Sequence, residues 1–432
     1  IRKVEALAEP IERIIGPQIK RQSNNVILTP KAKSIIKELR WKNQSETDLE
    51  TRPDNLSIEI ETGTVNLSGS KFDLEVNEEG ATSTAVALIE YFNNYQKGFE
   101  GDVERLQRQY FIFMSWLWAS PFICDLRSRA TFSGENIFRY PSFAVIFGKS
   151  NCGKTSLVET LMTAMFGTAS SVQKDHFTRR TLRGLQENYG RFPVVFDDIS
   201  RRKFTDHGLE IIKDESLPRT KENPGFVVSM NAEIQSFPDE VMKRCLMIYA
   251  NTSLPNHKHA LGDELHKSVE NIRSRLTTDL YKAYLSEMIS KISESDLIEE
   301  DILKLSSATI NSLLGKYSTS KLPDWCNVVT WSEYADQRYE RQVKRLSALL
   351  ATDNYQQSTM IGDQGWTLKG DKVVIWEKSD LFGRKSVKGE IPDYLYDDDT
   401  SVGDQIVLYK QLTEDFLRIN IRKPRKKWFF QT

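Results

Sequence analysis

The chain has few metal-binding or redox side chains: four cysteines and five histidines in 432 residues. Cys124, Cys152, Cys245 and Cys326 lie far apart and no pair has C-x-x-C spacing, so neither a zinc site nor a disulfide framework is expected. A reducing, cytoplasmic setting is the corresponding expectation. His257 and His259 are too lightly accompanied to form a metal site and read as solvated loop. No apolar run approaches the roughly 20 residues that a membrane helix requires, and the opening Ile-Arg-Lys-Val-Glu is not a secretory signal, so no membrane partner is expected. Neither charge sign is in excess, with 59 Lys and Arg against 60 Asp and Glu. That balance excludes a global pull toward polyanions and leaves only local patches for nucleic acid. The chain also opens without methionine, from which a further upstream portion of the natural protein is expected.

What is present is enough length for two or three domains with full cores, arranged around residues 142–167. Phe143 to Phe147 form an apolar run of the length and composition of a strand buried on both faces. Gly148, Lys149, Ser150, Asn151, Cys152, Gly153, Lys154 and Thr155 then match G-x-x-x-x-G-K-[ST]. In that pattern successive backbone N–H groups curl around nucleotide phosphates, and the glycines permit the curl. Ser156 follows and extends the candidate binding segment to residues 148–156. Leu157, Leu161 and Met165 have helical spacing, so the positive end of a helix faces the phosphates. Lys154 adds a point charge and the Thr155 hydroxyl is placed to ligate Mg²⁺, making ATP and Mg²⁺ the expected ligands. A glycine turn that binds nothing is the bland alternative; it must explain strand, turn and helix in the required order by chance. Cys152 reads as a small residue tolerated in the loop or, alternatively, as a thiol acidified by Lys154.

A second apolar run, Val194 to Phe196, ends in Asp197 and Asp198. Asp197 is expected to hold the metal through water, and Asp198 to orient or deprotonate the attacking water. Two acids after a strand are commonly only a turn, but a phosphate loop some forty residues upstream favours the functional reading. The acid strand is expected beside the loop strand. A third run, Phe226 to Met230, ends in Asn231, placed to hydrogen-bond the attacking water or the γ-phosphate; alone it would read as an Asx turn. Lys243 and Arg244 precede a fourth apolar strand, where a guanidinium is able to reach the γ-phosphate of an adjacent subunit.

This order resembles that of superfamily 3 helicases and related AAA+ proteins, including viral and plasmid primase-helicases. Residues 148–155 match motif A, 194–198 motif B and 226–231 motif C, with Arg244 at the place of the arginine finger. The resemblance covers residues 142–249 and implies a homo-oligomeric, hexameric ring. It also implies a basic pore segment between motifs B and C that grips nucleic acid. Lys213, Arg219 and Lys221 stand there, although Asp214, Glu215 and Glu222 bring more negative charge than the family carries.

Outside the core, residues 1–45 show stripes of Val4, Leu7, Ile11, Ile14 and Ile15, and of Ile35, Ile36 and Leu39, read as a helical connector. Alternating runs within residues 56–76 read as antiparallel strands. Two helices are expected at residues 81–94 and 102–119, and the aromatic stripe of the second, Tyr110, Phe111, Phe113, Trp116 and Trp118, reads as core or interface rather than a base-stacking platform. Arg127, Arg129 and Arg139 are placed to approach an adenine or a neighbouring subunit, or form a solvated face. Leu261, Leu265, Val269, Ile272 and Leu276 share one helical face and suit a lid over the nucleotide. A further helix is expected within residues 322–350 and a polar linker at 353–365. Strands at residues 366–376 and 403–412 imply a small β-rich module, for instance a barrel. The basic and aromatic tail, residues 418–430, suits single-stranded nucleic acid or only a solubilising end.

The expected architecture is an α/β P-loop NTPase core of AAA+ type at residues 100–255 with its helical lead-in. An α+β region at 1–99 precedes it, and a helical lid at 256–352 and a β-rich module at 353–432 follow. The expected function is Mg²⁺-dependent ATP hydrolysis by a ring helicase or translocase on single- or double-stranded nucleic acid, with Lys154, Asp198, Asn231 and Arg244 catalytic and Thr155 and Asp197 at the metal. The alternative is an oligomerising signalling or defence ATPase that controls an upstream effector without translocating. A small-molecule kinase is a third reading, less compatible with Asn231 and Arg244.

Overall fold

The structure, a computed structural model, describes residues 19–22, 25–28, 55–133, 137–169, 171–213, 222–231, 237, 239–255, 257, 259–294, 301–318, 321–351, 355, 365–376, 395–397, 405–417 and 419–423. Two units separate, residues 1–55 with 66–70, and residues 56–65 with 71–432. In the first, β1 (Ile19–Gln22) pairs antiparallel with β2 (Asn25–Leu28), Ile19 opposite Leu28. The helical connector expected here is therefore a hairpin at these positions; β-branched Val26 and Ile27 and the turn formers Ser23 and Asn24 between the runs favour it. The apolar stripes around it lie outside the described residues.

Strands β3 (Leu56–Glu59), β4 (Thr64–Leu67) and β5 (Ser70–Lys71) follow. Residues 72–76, read from sequence as a further strand, have no strand structure; they lead to Asn77, whose side chain accepts the Glu79 N–H at 3.1 Å and caps α1 (Glu78–Asn93). Asp102 caps α2 (Val103–Ala119) in the same way through the Arg105 N–H. The aromatic residues of α2 are all buried, so its stripe is core. Next come α3 (Ile123–Ser133), β6 (Phe143–Gly148), α4 (Lys154–Phe166), α5 (Arg179–Asn188), β7 (Val194–Phe196), β8 (Phe226–Met230), α6 (Asp239–Arg244) and β9 (Cys245–Ala250).

The central sheet has the order β7-β8-β6-β9 with every pairing parallel. Its strands are apolar runs, Ser229 of β8 excepted, because helices cover both faces, which leaves no solvent side to demand alternation. Val172 extends the sheet by one bridge to Phe196. The acid strand β7 is not beside the loop strand β6, as the sequence reading had it; β8 lies between them. In a parallel sheet all carboxyl ends share one edge, so the three anchors still converge, with Asn231 in the middle.

Helices α7 (His259–Ser274), α8 (Asp279–Glu294) and α9 (Ile302–Tyr317) pack back on α1 and α2. The Thr84 hydroxyl and the Thr277 backbone exchange hydrogen bonds, the Tyr281 hydroxyl donates to the Trp118 carbonyl, and the Ser306 hydroxyl donates to the Ser115 carbonyl. After α10 (Trp331–Leu349), strands β10 (Gly365–Lys369), β11 (Lys372–Trp376) and β12 (Gln405–Tyr409) form an antiparallel sheet, followed by α11 (Lys410–Leu417). Gly370, at φ +62°, turns the β10–β11 hairpin. Among the described residues this module is an open three-stranded sheet, not a barrel. The strand expected through Leu412 stops at Tyr409, because Thr413 and Leu417 bury one helical face and Lys410 pairs with Glu414 one turn on. Trp366, Val373, Ile375, Ile406 and Leu408 pack there with Leu346 and Leu350. Most of the linker and the tail from residue 424 lie outside the described residues. Among the described residues no helix is long and apolar enough to cross a membrane.

Candidate active site

Gly148 ends β6 at φ +141°, and a Cβ there would stand 2.0 Å from the Ala250 carbonyl oxygen of β9. Only glycine fits, which ties the start of the loop to the neighbouring strand; the Lys149 N–H donates to that same carbonyl at 3.0 Å. Asn151 is left-handed at φ +58° and Gly153 at φ +84°. Between them the Cys152 thiol is buried and donates to the Lys149 carbonyl at 3.0 Å, so the residue packs as part of the loop. Gly153 accepts the Leu157 N–H at 2.8 Å, starting α4 with its free N–H groups on the loop.

The Lys154 ammonium is buried and its three N–H bonds find three acceptors: the Lys149 carbonyl at 2.7 Å, Asn231 Oδ1 at 2.9 Å and Cys152 Sγ at 3.4 Å. Asn231 Nδ2 donates to Asp198 Oδ1 at 3.2 Å. One amide thus joins the loop lysine to the second acid. The Thr155 hydroxyl lies 2.9 Å from Asp197 Oδ2 and 3.1 Å from Oδ1. The acids are fixed by a residue the sequence reading passed over: Ser229 of β8 donates its hydroxyl to Asp197 and accepts the Asp198 N–H at 3.1 Å. A lone hydroxyl in an otherwise apolar strand was the available signal, since a buried polar group needs partners. Asp198 is left-handed at φ +53°, which turns it away from the line of β7, and its carboxylate pairs with Lys174 at 3.6 Å.

Lys154, Thr155, Asp197, Asp198 and Asn231 therefore meet at one edge. Lys149 and Ser150 are exposed in the loop, and Ser156 opens α4. Arg244 does not join them. It ends α6 at the amino edge of the sheet, where Cys245 is in register with Phe143, and its guanidinium lies 4.5 Å from the Phe138 ring centroid. Arg127 donates to the Tyr140 carbonyl at 3.1 Å and Arg129 to the Ile292 carbonyl at 3.4 Å, so both brace their own chain. Lys213 is exposed at the end of the helical stretch 201–213, whereas Arg219 and Lys221 lie outside the described residues. Glu222, which the sequence reading weighed against nucleic acid, accepts from Arg191 Nε at 2.8 Å and from the Ile58 N–H at 3.2 Å. It is thus paired within its own chain, on a guanidinium it shares with Asp125.

Thr155 and Asp197 offer hard oxygen donors side by side, the set Mg²⁺ takes together with phosphate oxygens and water. These residues fit that ion. Among the described residues no cluster of three or more His, Cys, Asp or Glu exists for an all-protein metal cage.

Residues 55–234 match the family model of the Aq_aa27 P-loop NTPase domain. Among solved structures the chain is similar to "SCCmec type IV Cch - active helicase", with 14% identity and a TM-score of 0.34 over 81% of this chain and 73% of that one. Comparison with curated proteins gives no match. The core is an α/β P-loop NTPase domain, a parallel sheet flanked by helices.

Proposed function

We propose that the chain is a Mg²⁺-dependent ATPase of superfamily 3 or AAA+ type that works as a ring on nucleic acid. The observation that carries the hydrolase reading is the continuous path Lys154–Asn231–Asp198 beside the Thr155–Asp197–Ser229 group, all at the carboxyl edge of one sheet. Loop N–H groups and Lys154 hold the β- and γ-phosphates. Thr155 and Asp197 would hold Mg²⁺, which when bound neutralises charge on the phosphate oxygens. Asn231 orients the attacking water, and Asp198 accepts its proton once the ion pair with Lys174 gives way. Arg244 acts in trans, because its own loop is at the far edge of the sheet. Lys213, Arg219, Lys221 and the basic tail are the candidate nucleic-acid contacts.

Phosphate release from ATP, with and without single-stranded DNA and at two salt concentrations, tests the reading. DNA-stimulated turnover that fades with salt supports the motor. Turnover with nucleotide-triggered assembly and no DNA response replaces it with the signalling ATPase, and absence of ATP binding removes the enzyme reading altogether.

A further inference from the structure

Three buried phenols stand behind the phosphate loop. Tyr110 of α2 donates its hydroxyl to the Cys152 carbonyl at 2.8 Å. Tyr95, just past α1, meets Tyr110 edge-on with ring centroids 5.3 Å apart, and its hydroxyl lies where a Cβ on Gly153 would approach to 2.8 Å. Tyr91 shares a 3.0 Å hydrogen bond with the Tyr95 hydroxyl and donates to Ser156 Oγ at 3.1 Å. Burial pushes all three phenols above their ordinary range, so each keeps its proton.

The peptide plane gives this arrangement a consequence. Within one trans peptide the Cys152 C=O and the Gly153 N–H point in opposite directions. A donor that holds the carbonyl back toward the protein therefore turns the N–H outward, to the side where a phosphate binds. A buried carbonyl at a loop apex otherwise has no partner and no fixed direction. Gly153 lets the Tyr95 ring stand directly against the loop, which limits retreat of the same peptide.

We propose that Tyr110 is a positioning residue for nucleotide: by gripping the Cys152 carbonyl from behind, it aims the Gly153 N–H at the phosphates. This rests on the nucleotide-binding reading above, and it makes the helices upstream of the core part of the affinity for ATP. Their displacement loosens the loop without touching Lys154.

The test uses Tyr110→Phe, which removes one oxygen, and Tyr281→Phe as its control, since the Tyr281 hydroxyl likewise serves a backbone carbonyl, that of Trp118, away from the loop. Two readouts are taken on the full chain. The first is maleimide modification of Cys152 without nucleotide, located by peptide mass. Burial pushes the Cys124 thiol up to about 12 and the Cys326 thiol up to about 11, which keeps both slow to react. Modification of Cys152 is expected to accelerate about fivefold or more in Tyr110→Phe and to stay unchanged in Tyr281→Phe. The second readout is steady-state ATP hydrolysis: KM is expected to rise about tenfold in Tyr110→Phe with kcat within about twofold. Unchanged Cys152 reactivity and KM overturn the proposal. So does a fall in kcat at constant KM, which marks lost folded protein instead. If the wild-type chain binds no ATP, the enzyme reading fails, and the Cys152 arm still decides whether Tyr110 holds the loop.

Discussion

Gly148 and Ser229 illustrate what single positions contribute here. A methyl group at Gly148 collides with the Ala250 carbonyl and demands a φ that side chains resist. Gly148→Ala is expected to lower stability by about 2–3 kcal/mol, seen as a thermal midpoint several degrees below wild type. Ser229→Ala leaves the Asp197 carboxylate without that donor and the Asp198 N–H without its acceptor. Turnover is expected to fall about tenfold with KM for ATP within about twofold, if Asp198 acts on the attacking water and Asp197 at the metal while the loop N–H groups and Lys154 carry nucleotide binding. Lys154, Thr155, Asp197, Asp198 and Asn231 were readable because spacing along the chain encodes them. Ser229 showed only as a lone hydroxyl in an apolar strand and Tyr110 only as a core aromatic, because the partners of both lie across the sheet or behind the loop, and spacing carries no such information.

Whole strands and helices were readable where burial imposes a period. The sheet strands are apolar runs apart from Ser229, and α1 and α2 carry both helical spacing and capping side chains. The order of the sheet was not readable, since any permutation of four equally apolar strands satisfies the same pattern. The start of α11 was missed because Tyr409 and Lys410 suit either state, and the pairing that decides it lies one turn downstream. Two elements meet at Asp279, which begins α8 and accepts the Asn77 N–H before α1. Burial alone raises this carboxyl, but hydrogen bonds from Thr277, Lys282 and Asn77 outweigh it and hold the group below its ordinary value. A depressed carboxylate stabilises the fold above its unfolded value and loses that contribution as pH falls through the folded one. Asp279→Asn is therefore expected to melt a few degrees lower than wild type at pH 7, with the gap closing as pH falls below about 4, followed by thermal melts across that range.

Across the whole molecule, near-neutral net charge hides an uneven distribution. Glu222 and Asp125 share the single guanidinium of Arg191, so the negative charge of Glu222 is partly offset within its own chain. Arg244 stands at the edge of the sheet away from its own loop. An arginine that serves only its own chain there stabilises α6 and nothing else; one that serves a neighbour completes a second site. Arg244→Ala is expected to keep ATP binding and lose turnover. Mixing it with Lys154→Ala subunits is expected to restore part of that turnover, measured as phosphate release against the ratio of the two, while additive residual activities would assign Arg244 to local packing.

Because the Asn231 amide spends its oxygen on the loop lysine and its nitrogen on the second acid, the two halves of the centre share one rigid planar connector. A ligand that draws the ammonium forward is expected to rotate that plane or break one of its ends, so that arrival of a phosphate is felt at Asp198 without movement of the backbone. A nitrogen-15 label on this single side chain would report both events in one spectrum.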